Sequence, residues 1–314
     1  MDWEFELVAG PYNFPLDGPA WDGEALLFSR LALPSGSIEN AILRYDPQSG
    51  QVATYRRWTN RVSGLAFSAE GTLYGCQSGS RRVIRFNPDG SASPLCYKLD
   101  GQFHNQPKDL VVDSKGRLWF TDPVWGPPVQ GGLRYYELEP YSVKHASVLR
   151  MDSPPSLHSH LHRMTYDTQV PLGILLSQDE RTLYVSESSD ESEGKRELRA
   201  YPILEDGSLG PFHLIQSFGA DYRGVHRGIS GMCLDTEGNI FACAGSKGSG
   251  PGPMIYVFSG TGRVLETHPA PSEPTNCTFG GPDLGSLYIT TTEGQLYRVR
   301  DTGHKGWLLH PKTQ

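Results

Sequence analysis

Phe103-His104-Asn105-Gln106-Pro107-Lys108-Asp109-Leu110-Val111-Val112-Asp113-Ser114-Lys115-Gly116-Arg117-Leu118-Trp119-Phe120-Thr121-Asp122 reads as a polar approach, a short apolar strand, a Ser-Lys-Gly turn and a second strand rich in aromatic residues. That order is a β-hairpin, with strands over Leu110 to Asp113 and Arg117 to Thr121 and chemistry at its entrance.

The hairpin recurs along the chain. Copies run from Asp17-Gly18-Pro19-Ala20-Trp21 to Leu26-Leu27-Phe28, from Ser63-Gly64-Leu65-Ala66-Phe67 to Leu73-Tyr74, and from Leu172-Gly173-Ile174-Leu175 to Leu183-Tyr184-Val185. Two more run from Ser230-Gly231-Met232-Cys233 to Ile240-Phe241 and from Asn276-Cys277-Thr278-Phe279 to Leu287-Tyr288. The six first residues, 17, 63, 108, 172, 230 and 276, stand 46, 45, 64, 58 and 46 apart. Between copies lies an apolar strand carrying arginine, as in Ile42-Leu43-Arg44-Tyr45 and Val148-Leu149-Arg150-Met151, and then a further strand such as Val52-Ala53-Thr54-Tyr55. Four strands in a unit of about 45 residues is the pattern of a propeller blade. The sequence therefore predicts an all-β, six-bladed β-propeller of four-stranded antiparallel blades, a single domain over 1–314. The two long spacings place insertions at Gly126–Ala146 and Ser188–Glu197. Ring closure falls to a terminus, with Glu4 to Val8 and Gly306 to His310 as candidate strands.

Composition agrees and excludes some functions. With 36 Gly and 24 Pro in 314 residues and no helical spacing of apolar residues, the chain is rich in turns and long enough for a sizeable core. A net charge of -7 with scattered Lys and Arg argues against nucleic acid as a partner. No run approaches the roughly 20 apolar residues that span a bilayer, and the acidic start Met1-Asp2-Trp3-Glu4 lacks the features of a secretory leader. The expectation is a cytoplasmic protein without a membrane partner. Cys76, Cys233, Cys243 and Cys277 fall inside apolar strand patterns without metal-type spacing, as reduced core residues do. His158-Ser159-His160-Leu161-His162 places three imidazoles on one strand face, but the segment follows an arginine-bearing third strand and is expected at an outer edge as an incidental polar face.

In a propeller the innermost strands surround a channel, and the loops feeding them bring one residue per blade towards the axis. Here those residues are Asp17, Ser63, Lys108, Leu172, Ser230 and Asn276. By adjacency His104, Asn105, Arg61, His226 and Arg227 join the same mouth, and Trp125 offers it an apolar wall. Each of these neighbours taken alone is expected to serve as a loop-stabilising hydrogen-bonder. Together they suit a small anionic or carbonyl-bearing ligand.

Asp109-Leu110-Val111-Val112-Asp113 through Trp119-Phe120-Thr121-Asp122-Pro123, Asp179-Glu180-Arg181-Thr182-Leu183-Tyr184-Val185 and Pro274-Thr275-Asn276-Cys277-Thr278-Phe279-Gly280-Gly281 carry a resemblance over nearly the whole chain. It is to the calcium-dependent lactonases grouped as senescence marker protein, gluconolactonase and luciferin-regenerating enzyme. The resemblance implies a divalent cation held by a Glu in blade one, an Asn in blade three, an Asn in blade four and an Asp in blade five. The matching positions read Asp17, Lys108, Leu172 and Ser230, and the family's Cys-Glu-His-Gly segment reads Cys76-Gln77-Ser78-Gly79. Calcium takes six to eight oxygen ligands, and this set offers one carboxylate and a repelling ammonium. No metal ligand and no cofactor are therefore expected. The ammonium of Lys108, with Asp17 as counter-ion, would stand where the cation stands and could polarise a carbonyl or act as base or Schiff-base nucleophile. Equally, Lys108 could merely neutralise Asp17 in a site without catalysis.

The resemblance implies hydrolytic opening of a lactone or related ester; the mechanism expected from the residues differs from the family's metal-bound water, with Lys108 as electrophile, Asp17 orienting it or activating water, and His104 or His226 as proton carrier. The alternatives are a metal-free cyclase, isomerase or pericyclase-like enzyme of secondary metabolism, or a small-molecule-binding pseudoenzyme.

Overall fold

The computed structural model describes residues 3–32, 40–124 and 143–310, and Trp125 and most of the first expected insertion lie outside them. Six four-stranded antiparallel sheets surround one axis as a six-bladed β-propeller. Their innermost strands are Leu16–Trp21, Val62–Phe67, Leu110–Val112, Pro171–Leu176, Gly231–Asp235 and Pro274–Gly280. All six begin at the same end of the axis.

The turn chemistry behind the repeat is visible in the founding hairpin. Leu110 pairs with Phe120 and Val112 with Leu118. The Asp113 carboxylate accepts the Lys115 and Arg117 amides at 3.0 and 2.9 Å and the Trp119 indole N–H at 2.9 Å, so an acid ends the first strand and anchors the second. Gly116 completes the turn at φ +74°, a left-handed backbone that glycine adopts without a side-chain penalty. Asp235 repeats the device, accepting the Glu237 and Asn239 amides at 2.9 and 2.8 Å. Blade four puts Glu180 at the left-handed position instead.

Between neighbouring sheets the apolar faces pack into a continuous core. Trp119, Val148, Ile174, Leu183 and Val185 fill the space between blades three and four, and Trp21 stacks on Tyr288 between blades one and six. Both termini take part in closure. Glu6–Ala9 forms the outer strand of blade six, pairing with Leu296–Val299, and the Glu6 carboxylate accepts from Arg298 at 2.8 to 3.0 Å. Gly306–Trp307 adds a fifth strand to blade five, on the axial edge of Gly231–Asp235.

The second expected insertion needs correcting. Ser188 pairs directly with Arg196, so the segment 188–197 is a tight connection and not a long excursion. The extra length of blade four lies further on, in the 203–212 connection and in a small hairpin, Ala220–Asp221 with Gly224–Val225. His162 sits on the outermost strand of blade three, bonded to Asp152 at 2.9 Å, as its sequence position implies. Among the described residues no cysteine forms a disulfide, and Cys76, Cys233, Cys243 and Cys277 are buried. No described helix is long and apolar enough to cross a membrane.

Candidate active site

The site forms where the innermost strands begin. Lys108 is 2% exposed and Asp17 3% exposed, and the Lys108 ammonium donates to the Asp17 Oδ2 across the gap between blades three and one. The backbone fixes both partners. Asp17 Oδ1 accepts the Gly18 amide at 2.8 Å. The Lys108 amide donates to Thr121 O at 3.0 Å, and the Lys108 carbonyl accepts Ser63 Oγ at 2.6 Å and the Gly64 amide at 2.8 Å. Ser63 is thus tied to the backbone of Lys108 and does not project a free hydroxyl. A buried lysine held by its backbone bonds and by one carboxylate presents its ammonium N–H groups at a fixed position at the end of the channel.

The other axial residues differ in role. Leu172 presents no side-chain oxygen, and its carbonyl accepts the Thr121 hydroxyl at 2.7 Å. Ser230 is buried with its amide bonded to Cys243 O. Asn276 Oδ1 accepts its neighbour's amide at 2.8 Å, and the side chain fills the space a Cβ at Gly231 would take. Further along the same strands lies a cavity of about 140 Å³, lined by Ala20, Leu65, Asp109, Ile174 and Met232 and by the segment Trp307 to His310.

Adjacency in sequence misplaces His104. The hairpin formed by Lys98–Leu99 and Gln102–Phe103 turns it inward, where it is 0% exposed, lies edge-on to Phe120 and sets Nε2 against Cys96 O at 3.1 Å. Burial pushes its pKa down to about 4, so the ring is neutral and belongs to the wall, not to the mouth. Asn105 likewise serves the wall, its Nδ2 donating to Asp122 O and His145 O at 3.2 and 2.8 Å. His226 is half-buried beside the small hairpin, 3.6 Å from Asp221. Arg61 stands in a run where Trp58, Asn60 and Arg61 all adopt left-handed backbone, at φ +56°, +49° and +60°; such conformations in non-glycine residues gather at functional sites. Its Nε is buried without a hydrogen-bond partner, and burial lowers its pKa.

Three buried carboxyls went unnoticed in the sequence because their state depends on packing. Burial pushes Asp109, Asp122 and Glu187 each up to about 7; Lys108 pulls Asp109 back and Asp17 pushes it further. Asp122 holds the Asn105 amide at 2.9 Å, and Glu187 accepts the amides of Gln169 and Val170, so both pin loops that enter the mouth. An unfolded carboxyl ionises near pH 4. Between about pH 4 and 7 the folded protein therefore holds more protons than the unfolded chain, and these groups make stability fall as pH rises through that window and leave it level above. Asp122→Asn should flatten the fall: between pH 5 and 7 the melting temperature of the variant drops less than that of the parent. Parallel curves for the two proteins would mean that Asp122 is ionised throughout.

A six-bladed propeller with a buried polar site at the mouth of its axis defines the class of protein. The family model described as the SMP-30/gluconolactonase/LRE-like region matches residues 17–293. The chain belongs to that family, a family of gluconolactonase-like and lactonase-like propellers. It is 26% identical to a gluconolactonase of Zymomonas mobilis over 94% of this chain and 80% of that one. It is 29% identical to a 6-deoxy-6-sulfogluconolactonase of Pseudomonas putida over 79% of this chain and 75% of that one. Among solved structures, a gluconolactonase from Xanthomonas campestris superposes with a TM-score of 0.76 at 27% identity, covering 95% of this chain and 89% of the other.

Proposed function

We propose that the protein opens a small lactone ring by hydrolysis, with the Lys108 ammonium doing the electrostatic work that a bound divalent cation does in the calcium-dependent lactonases it resembles. The observation that carries the reading is the buried Lys108–Asp17 ion pair at the axial end of a lactonase-family propeller. The names of two relatives, a gluconolactonase and a sulfogluconolactonase, support a sugar-derived lactone as the substrate class.

The residues at the family's cation positions do not fit that ion. Asp17 is engaged by Lys108, Leu172 offers only a carbonyl already bonded to Thr121, Ser230 contributes one hydroxyl, and Lys108 itself is a cation. Calcium requires six to eight oxygens. Among the described residues no group of three or more His, Cys, Asp or Glu side chains is arranged to hold a metal.

In the proposed reaction the lactone carbonyl oxygen docks on the Lys108 ammonium, which stabilises negative charge as it develops there. Water adds to the carbonyl carbon and gives up one proton, with Asp17 orienting the ammonium or accepting that proton. The bond from the carbonyl carbon to the ring oxygen then breaks, the ring oxygen takes a proton, and a hydroxy acid leaves and ionises. His226 is the imidazole retained as proton carrier; His104, buried in the wall, is not.

The test is a panel of five- and six-membered sugar lactones, followed by acid release in weak buffer. Ring opening that saturates with substrate supports the reading. A chain that binds a lactone or a cyclic precursor without producing acid favours the cyclase, isomerase or binding-only readings.

A further inference from the structure

Arg227 is held in a manner that the lactonase reading leaves unexplained. Its Nη1 donates to Gly245 O at 3.0 Å in blade five and to Pro274 O at 2.9 Å in blade six, so the guanidinium straddles two blades beside the mouth. The remaining edge, Nε and Nη2, makes no hydrogen bond or ion pair among the described residues. Glu273 and Asp17 are the nearest carboxylates that it feels, and neither is in ion-pair contact: Glu273 accepts the Lys247 amide at 2.9 Å, and Asp17 is held by Lys108. Burial disfavours its charge, yet a guanidinium does not lose its proton in a protein. A pinned, desolvated fork with one edge open matches the two oxygens of a carboxylate, sulfonate or phosphate. Arg61, on blade two and so across the ring from blade five, adds a second guanidinium with a buried unpartnered Nε.

We infer that Arg227 is a substrate-binding residue for an acidic group, and that the lactone opened here is anionic, with its carbonyl at Lys108 and its acidic substituent on the open edge of Arg227. This rests on the lactonase reading for the carbonyl end and on the geometry of Arg227 for the acidic end.

Two lactones on one carbon skeleton test it: D-glucaro-1,4-lactone, which carries a carboxylate, and D-glucono-1,4-lactone, which is neutral. The parent enzyme should prefer the anionic lactone in kcat/KM by roughly ten- to a hundredfold, the loss expected for a hydrogen-bonded charge pair, with most of the difference in KM. Arg227→Gln, which keeps an amide donor for the two carbonyls, should reduce the preference to about threefold or less, and Arg227→Lys should fall between. Calorimetric titration with ring-opened glucarate and with neutral glucitol, alongside thermal melts of each variant, separates the two layers of the argument. If neither lactone is opened but glucarate binds the parent and not Arg227→Gln, the anion site stands and the hydrolysis reading fails. Equal handling of both lactones by the parent, a preference that survives Arg227→Gln in a folded variant, or failure of the parent to bind glucarate overturns the inference.

Discussion

Lys108→Met is expected to lower kcat/KM for lactone opening by roughly 10²- to 10³-fold, the loss found when one donor to a developing oxyanion is removed. Methionine keeps an unbranched stem one atom shorter and removes the ammonium with its charge and N–H donors, so most of the nearby packing survives. Asp17 is then left as a buried carboxylate that accepts the Gly18 amide but has lost its ion-pair partner. Breaking one side of a buried ion pair costs about 3–5 kcal/mol, so the variant should also melt earlier, and rates belong well below its transition. Asp17→Asn makes the complementary case, because Lys108 would keep its charge while losing its counter-ion. If Lys108→Met folds and opens lactones as fast as the parent, the ammonium takes no part in the chemistry and only neutralises Asp17.

Gly18→Ala should be the most damaging single methyl near the site. Gly18 has φ +53°, and a Cβ there would stand 2.0 Å from the Ser63 carbonyl oxygen and 2.9 Å from its carbon. Neither is a flexible side-chain end, so blade one or blade two must move. Overpacking of this kind costs about 1–3 kcal/mol or more, and a left-handed alanine adds about 1–2. A loss of about 3 kcal/mol is the central expectation, measured by urea unfolding. Since Ser63 Oγ also holds the Lys108 carbonyl, the displacement should reach the ion pair and reduce activity in the protein that remains folded. Gly50→Ala supplies the control: φ is +72° but no atom lies within 4 Å of the added Cβ, so only the backbone strain of about 1 kcal/mol applies. Equal losses in the two variants would show that the contact with Ser63 is relieved without cost.

The blades were legible because their signals are local. Alternating apolar residues, a carboxylate at the strand end and a left-handed glycine lie within about ten residues of one another, and the strands Leu110–Val112 and Leu118–Asp122 fall within one residue of the reading. The axial positions of Asp17 and Lys108 follow from the same register. Closure was only half legible, since Glu6 meets Arg298 and Trp307 meets Leu234 through pairings that no local pattern encodes. His104 shows the limit of adjacency: four residues from Lys108, it points into the core because a short hairpin, itself weakly marked in the sequence, reverses the chain just before it. The raised carboxyls of Asp109, Asp122 and Glu187 are invisible for a related reason, because burial is set by neighbouring blades. The open edge of Arg227 depends on carbonyls 18 and 47 residues away.

The central claim is that a lysine–aspartate pair stands in for the family's cation. The direct measurement is the initial rate of lactone opening by protein treated with excess EDTA and desalted, assayed with and without added calcium, for the parent and for Lys108→Met. The parent should keep its full rate after chelation and gain nothing from calcium, and Lys108→Met should lose the rate. A parent that stops after EDTA and recovers when calcium is restored would contradict the claim.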